Sequence, residues 1–355
     1  MLPAQFPVGC SYYPVRPPHW FPMQSFTPPV LLRSRHLQST LGSSGARRLL
    51  VRRRAAALLA ASQDEIADCG QGVRLLLHHA PPRSDRPAAG VAVLIHGWEG
   101  SGDATYLLSA GSRLRAAGYR VVRLNLRDHG ASHHLNRGLF HSCLLDEVVG
   151  AVGWVQQHFP TEPLVLGGFS LGGNFALRVA ARAPAAGLRI RQVAAICPVL
   201  DPAETMHALD SGWQLYQRYF LAKWRASLLR KARAFPDDYA FGDLRRFHSL
   251  AAMTEFFVCE YAGFDDLHTY LRGYALTGDR LADLQVSSRV LLAEDDPVIP
   301  IVGLQRVART AALHVDCARF GGHCAFLKDY RLRSLADDYL LDSFFITRDN
   351  RSAAL

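Results

Sequence analysis

The stretch Gly167-Gly168-Phe169-Ser170-Leu171-Gly172-Gly173 constrains this chain more than any other. It sets a serine between an apolar run, Leu164 to Leu166, and a helix-like segment, Asn174 to Arg182. Strand, tight turn and helix follow within twenty residues. A serine in such a turn sits on strained backbone with its hydroxyl thrown clear of a sheet, and glycines two before and two after let helix and strand approach without a Cβ clash. The helix N-terminus behind it favours negative charge arriving at the serine. The bare pattern Gly-x-Ser-x-Gly is weak alone, so its context and its partners must carry the reading.

A serine hydroxyl is a poor nucleophile unless a base takes its proton and a third group orients that base. Where a serine sits in this kind of turn, the acid and then the histidine follow it in the chain. Arg289 to Ala293 is an apolar run ending in Glu294-Asp295-Asp296-Pro297, and Leu313 to Phe320 ends in Gly321-Gly322-His323. Both read as strands delivering polar groups to their carboxyl ends, where open α/β sheets keep their sites. Asp296 is the preferred acid and Asp295 the alternative acid, whose ordinary reading is a solvated or helix-capping carboxylate. Upstream, Val91 to Ile95 runs into His96-Gly97-Trp98-Glu99-Gly100-Ser101. Backbone N–H groups of Trp98 and Leu171 are the expected donors to an oxyanion.

Strand and helix alternate through Val91–Ile95, helix 106–117, strand 119–124, helix 144–158, the serine strand and helix, and strand 192–197. This implies an α/β fold with a mostly parallel sheet and helices on both faces. Between Asp201 and about Ser288 the alternation stops. Trp213, Tyr216, Tyr219, Phe220 and Trp224 are interleaved there with Arg218, Lys223, Arg225, Arg230 and Lys231, an amphipathic helical pattern read as an inserted cap over the site. The expected organisation is a loose tail at 1–24, a basic arm at 25–62, a core at 63–200 and 289–347 split by the helical cap at 201–288, and a tail at 348–355. Met23 is expected to be the true start. The arm reads as extended chain followed by a strand or short helix, and Asp64 to Ala80 as two strands joined at Cys69-Gly70-Gln71-Gly72.

A chain of 355 residues with 49% hydrophobic and 20% charged residues buries a large core. The net charge of +9 is uneven: eight arginines and no Asp or Glu precede Asp64. Arginine stems packing on the body with heads in water is the ordinary reading of that arm, and peripheral contact with an anionic membrane the sharper one. No nucleic-acid partner is expected. Seven cysteines, odd in number and without CxxC spacing, suggest reduced thiols, a cytoplasmic setting and no structural zinc.

These residues resemble the alpha/beta-hydrolase superfamily and, within it, the YheT-like branch, over roughly residues 26–347. The likeness rests on the arm Leu32 to Leu41 with His36-Leu37-Gln38, the loop His96-Gly97-x-Glu99-Gly100-Ser101, Gly168-x-Ser170-x-Gly172-Gly173-Asn174, Asp295-Asp296-Pro297 and Gly321-Gly322-His323. The resemblance implies Ser170 as nucleophile, the aspartate before Pro297 as orienting acid, and His323 as base. It also implies hydrolysis of carboxylic esters, with relatives acting on lipid esters; acyl transfer on the same triad and a non-catalytic binding or membrane-surface role stay open as alternatives, and the serine mechanism needs no metal or organic cofactor. The aromatic cap suggests an ester with an apolar acyl group. Two loops depart from the family pattern: Cys69-Gly70-Gln71-Gly72 replaces an acidic turn, and Arg127-Asp128-His129-Gly130 stands where relatives carry an Arg-Gly turn.

Competing readings attach to nearby residues. His96 is expected to organise its loop rather than act as a second base. Asp128 with His129 could form a rival dyad, and His129, His133, His134 and His141 a metal cluster, but they lack ligand spacing and their segment reads as an exposed loop. His141-x₄-Asp146 matches a short acyltransferase signature at chance level, and an acid in the first helical turn is explained by the helix dipole.

Overall fold

The computed structural model describes residues 21–22, 26–83 and 87–345. Its centre is a nine-stranded sheet. In chain order the strands are β1 (Phe21–Pro22), β2 (Gln63–Asp68), β3 (Arg74–Ala80), β4 (Val91–Ile95), β5 (Arg120–Leu124), β6 (Leu164–Phe169), β7 (Ile190–Ile196), β8 (Ser288–Ala293) and β9 (Leu313–Ala318). Their spatial order is β1-β9-β8-β7-β6-β4-β5-β3-β2. The β2–β3 and β3–β5 pairs are antiparallel and all others parallel. Of the amino-terminal segment, Phe21 and Pro22 extend the sheet edge; Met23, the rest of the 1–24 tail and the 348–355 tail lie outside the described residues.

The apolar runs form strands buried on both sides, as parallel strands must be. Along β4, Val91, Val93 and Ile95 join one core with Leu164 and Leu166, and Ala92 and Leu94 join a second core with Val165. The alternation is the two-residue period of a strand. The first core is covered by α5 (Leu145–His158) and α6 (Leu171–Arg182), through Val148, Val152, Phe175 and Val179. The second lies under α4 (Thr105–Ala116) and the closing α11 (Leu335–Phe345), through Leu107, Leu114, Leu340 and Phe344.

The chain leaves β4 for β5 on one side and returns to β6 on the other, so β4 and β6 flank a topological switch point. Crevices beyond the carboxyl ends of such strands are where α/β sheets bind ligands.

Of the strand or short helix expected after an extended stretch, the arm forms helices, and they take up most of the stretch expected to be extended: α1 spans Arg35–Gly42, α2 Gly45–Arg54 and α3 Ala56–Ala60. Two serines decide this. Ser34 Oγ accepts from Leu37 N–H and Ser44 Oγ from Arg47 N–H, so each caps the helix that follows it. Arg47 is 1% exposed, its guanidinium donating to the carbonyls of Gly42 and Leu332. The other α2 arginines are exposed.

Between β7 and β8 run α7 (Pro202–Ser211), α8 (Gln214–Ala234), α9 (Leu250–Ala262) and α10 (Leu267–Gly273). α8 is pinned to the loop after β5 by a buried cation. Lys231, 1% exposed, donates to Asp128 Oδ1 at 2.7 Å and to the carbonyls of Asn136 and Gly138 at 2.5 and 3.0 Å. Asp128 Oδ2 accepts from Phe140 N–H at 2.9 Å. The loop is therefore largely buried, correcting its reading as an exposed segment: its histidines look solvated in sequence because Lys231 stands 103 residues on. Lys231→Met strands the Asp128 charge and is expected to cost about 3–5 kcal/mol in urea unfolding, with Asp128→Asn in the same chain recovering part of it. A loss below about 1 kcal/mol would mean the pair carries no weight. Among the described residues, no helix is long and apolar enough to cross a membrane.

Candidate active site

Ser170 sits where β6 meets α6, with φ 54° and ψ −121°. Its N–H donates to Ile196 O and its carbonyl accepts from Asn174 N–H, so the strained turn is held from both sides. The glycines around it answer to space. A Cβ on Gly168 would stand 2.2 Å from Gly172 O, and one on Gly172 would stand 2.2 Å from Ile95 O. The amino end of α6 thus rests on β6 and β4, and the serine is carried to the rim.

His323 Nε2 lies 3.0 Å from Ser170 Oγ. Its other ring nitrogen, Nδ1, lies 2.9 Å from Asp296 Oδ2 and 3.2 Å from Oδ1. The three side chains form one chain of hydrogen bonds across 153 and 27 residues of sequence. Asp296 is held in turn by the N–H groups of Val298 and Ile299, both donating to Oδ1. Asp295 faces elsewhere: its Oδ1 accepts from Gly322 N–H, and its Oδ2 is buried without a partner. Geometry therefore distinguishes two adjacent carboxylates that the sequence could only rank.

Burial pulls the His323 pKa down, but the Asp296 carboxylate and, after it, Cys324 outweigh burial and hold it well above the ordinary 6.5. Cys324 Sγ lies 3.8 Å from His323 Nε2. Burial alone would raise that thiol; contacts with Cys197 and His323 outweigh it and bring Cys324 down to about 6.

The loop after β4 runs beside the serine. A Cβ on Gly97 would lie 3.1 Å from Ser170 Cβ, and Gly97 N–H donates to Tyr106 OH at 3.0 Å. Trp98 follows, stacked on Phe220 of α8 at 5.3 Å and edge-on to Trp224 at 5.4 Å. Leu171 is the first residue of α6. Trp98 and Leu171 therefore approach Ser170 from two elements.

Sequence reasoning missed the residues that seat His323. Ser39 Oγ of α1 accepts from His323 N–H at 2.9 Å and donates to Arg35 O at 2.8 Å. Gln38, fully buried, donates to the carbonyls of Leu32 and Leu327 and accepts from Leu327 N–H. The arm is thus a buttress for the histidine loop. The one signal for it was the His36-Leu37-Gln38 motif of the resemblance, which gave no partner.

The competing residues are engaged otherwise. His96 Nδ1 donates to Gly97 O and Nε2 accepts from Leu126 N–H. His129 does the same with Arg127 O and Glu99 N–H, and burial holds its pKa down at about 4. Asp128 is taken by Lys231, so no dyad forms. His133 bonds Ser227, and no three of His129, His133, His134 and His141 bring ligand atoms together. Asp146 is exposed beside Arg182.

A cavity of about 640 Å³ opens over Ser170 and His323, bounded on its far side by α7, α8 and α9 through Met206, Phe220, Trp224 and Val258. An arrangement of hydroxyl, imidazole and carboxylate at such an opening can deprotonate the hydroxyl as it attacks an electrophilic carbon.

Residues 91–329 match the alpha/beta hydrolase fold family. The candidate esterase YheT of Escherichia coli (strain K12) is 25% identical over 253 residues, 66% of this chain and 70% of that protein. Among solved structures, 2,6-dihydroxy-pseudo-oxynicotine hydrolase superposes with a TM-score of 0.56 at 14% identity, covering 82% of this chain and 71% of its own. A serine hydrolase of the polyaromatic hydrocarbon-degrading bacterium Cycloclasticus zankles gives 0.52 at 18% identity, over 81% of this chain and 98% of that one. At such identities the likeness speaks for the fold. With the family match running from β4 past His323, this chain belongs to the alpha/beta hydrolase fold family and is YheT-like within it.

Proposed function

We propose that the chain is a serine hydrolase that cleaves carboxylic esters bearing an apolar acyl group. The observation that carries this reading is the relay Ser170 Oγ to His323 Nε2 at 3.0 Å and His323 Nδ1 to Asp296 Oδ2 at 2.9 Å, opening onto the cavity. His323 takes the Ser170 proton as Oγ attacks the acyl carbon. The backbone N–H groups of Trp98 and Leu171 receive the oxyanion. The tetrahedral intermediate collapses, His323 hands its proton to the departing alcohol, and a water deprotonated by the same ring releases the acid. Asp296 fixes the ring with its proton on Nδ1 and steadies the imidazolium. Nothing in this sequence of steps calls for a metal or organic cofactor.

The apolar acyl group is supported by Trp98, Phe220, Trp224 and Met206 in the cavity wall. Cavities of some hundreds of Å³ with mostly apolar walls are the usual form of small-molecule sites. Helices α7 to α10 serve as the cap that encloses it, and the esterase naming of the Escherichia coli relative points to the same bond.

Turnover of p-nitrophenyl esters of increasing acyl length tests the reading. Each buried CH₂ is worth about 0.8 kcal/mol, or roughly fourfold in kcat/KM, until the cavity is filled. A kcat/KM that is highest for acetate and falls with every added carbon would overturn the apolar acyl assignment, and no turnover of any ester would overturn the hydrolase.

A further inference from the structure

Cys197, His323 and Cys324 come from the ends of two strands to one point beside the serine. One ligand atom from each lies within 4.8 Å of those of the other two, and they are the only such group among the described residues. Cys324 Sγ stands 3.8 Å from His323 Nε2. A tetrahedral zinc ion holds sulfur at about 2.3 Å and imidazole nitrogen at about 2.0–2.1 Å, which sets S···N near 3.6 Å and S···S near 3.8 Å. The cluster needs only small side-chain shifts to reach that geometry. Two sulfurs and one imidazole are the soft donor set that selects such ions over magnesium or calcium.

We infer that Cys197, Cys324 and His323 form a binding site for a thiophilic divalent cation of the zinc type, whose occupation switches the hydrolase off. The inhibition rests on the serine-hydrolase reading, because the ring nitrogen taken by the cation is the one that must accept the Ser170 proton. Binding is a plain ligand exchange: the metal sheds waters, the two thiols lose their protons to solvent, and no electron moves. Cys324 and His323 line the cavity, so the ion enters from the substrate side, while Cys197 closes the site from within the core. The fourth position faces the cavity and is left for water or the Ser170 hydroxyl.

Co²⁺ titration of the full chain reads the site directly, through the thiolate-to-cobalt charge-transfer absorption. One Co²⁺ per chain is expected, displaced by Zn²⁺. Cys324→Ala and Cys197→Ala are each expected to weaken binding tenfold or more, and Cys324→Ser guards against a core variant that fails to fold. Zn²⁺ should inhibit ester turnover, be reversed by a chelator, and lose potency in each cysteine variant in proportion to its Co²⁺ affinity, measured against that variant's own uninhibited rate. Ser170→Ala should keep the absorption band, so binding is measured without turnover. No band, or equal zinc potency in wild type and both alanine variants, overturns the site. A band without loss of turnover overturns the switch. Failure of all ester turnover with the band intact strikes the hydrolase reading and leaves the metal site standing.

Discussion

Ser170→Ala is expected to lower kcat for ester turnover by about 10⁶-fold, since removing the nucleophile of such a triad costs nearly as much as removing all three members. The residue left, about 10³–10⁴ over water, comes from binding and oxyanion donors that the substitution spares. The Ser170 hydroxyl has its hydrogen bond to His323 and nothing of the backbone depends on it: Ser170 N–H and carbonyl serve Ile196 and Asn174 whatever the side chain. Alanine at φ 54° carries the same left-handed strain as serine. The unfolding midpoint should therefore stay within about 1 kcal/mol of wild type while turnover disappears, a separation that a structural serine would not give. Initial rates with a p-nitrophenyl ester, urea unfolding and labelling by a fluorophosphonate check the three parts. A variant that still takes the label at the wild-type rate would show that another residue is the nucleophile.

What could be read from sequence divides along a physical line. The strands flanking the site were legible because β4 and β6 are buried on both faces, and five or six consecutive apolar residues leave little else for them to be. The serine turn was legible because Gly168 and Gly172 each answer to a backbone atom within van der Waals reach, so their spacing is fixed by geometry. Contacts between distant segments left no such trace. Ser39 meets His323 across 284 residues, and its sequence neighbourhood shows only a polar helix. Lys231 and Asp128 each look like solvated surface until α8 lays one on the other. Cys197 and Cys324 fail every ligand-spacing test because they belong to different strand ends. Asp295 and Asp296 are adjacent and chemically identical, and only the direction of each side chain assigns one to Gly322 N–H and the other to the imidazole.

That direction has the second-largest expected consequence. Asp296→Asn keeps size and keeps a carbonyl oxygen for the N–H groups of Val298 and Ile299, which bond Oδ1 at 2.8 and 3.0 Å. The amide NH₂ is then left facing His323 Nδ1, which can only accept from it. The ring proton moves to Nε2, where it blocks transfer from Ser170, and kcat should fall by about 10⁴-fold with the fold intact. The pH profile should change with it. The carboxylate holds the His323 pKa well above 6.5 although burial opposes it. General-base action needs the neutral ring, so wild-type kcat/KM should be low in acid and climb as pH rises through the raised pKa. In the variant burial is opposed only by the neighbouring Cys324, and the residual activity should reach its plateau at lower pH. Stability moves the opposite way: a histidine whose folded pKa exceeds its unfolded value stabilises fully below about 6.5 and loses that contribution as pH rises through the folded pKa. Wild type thus gives up part of its stability over the range in which its base becomes competent, and Asp296→Asn, lacking the ion pair, should show a flatter unfolding free energy across it. An acid limb at the same pH in both proteins would show that the carboxylate does not set the charge of His323.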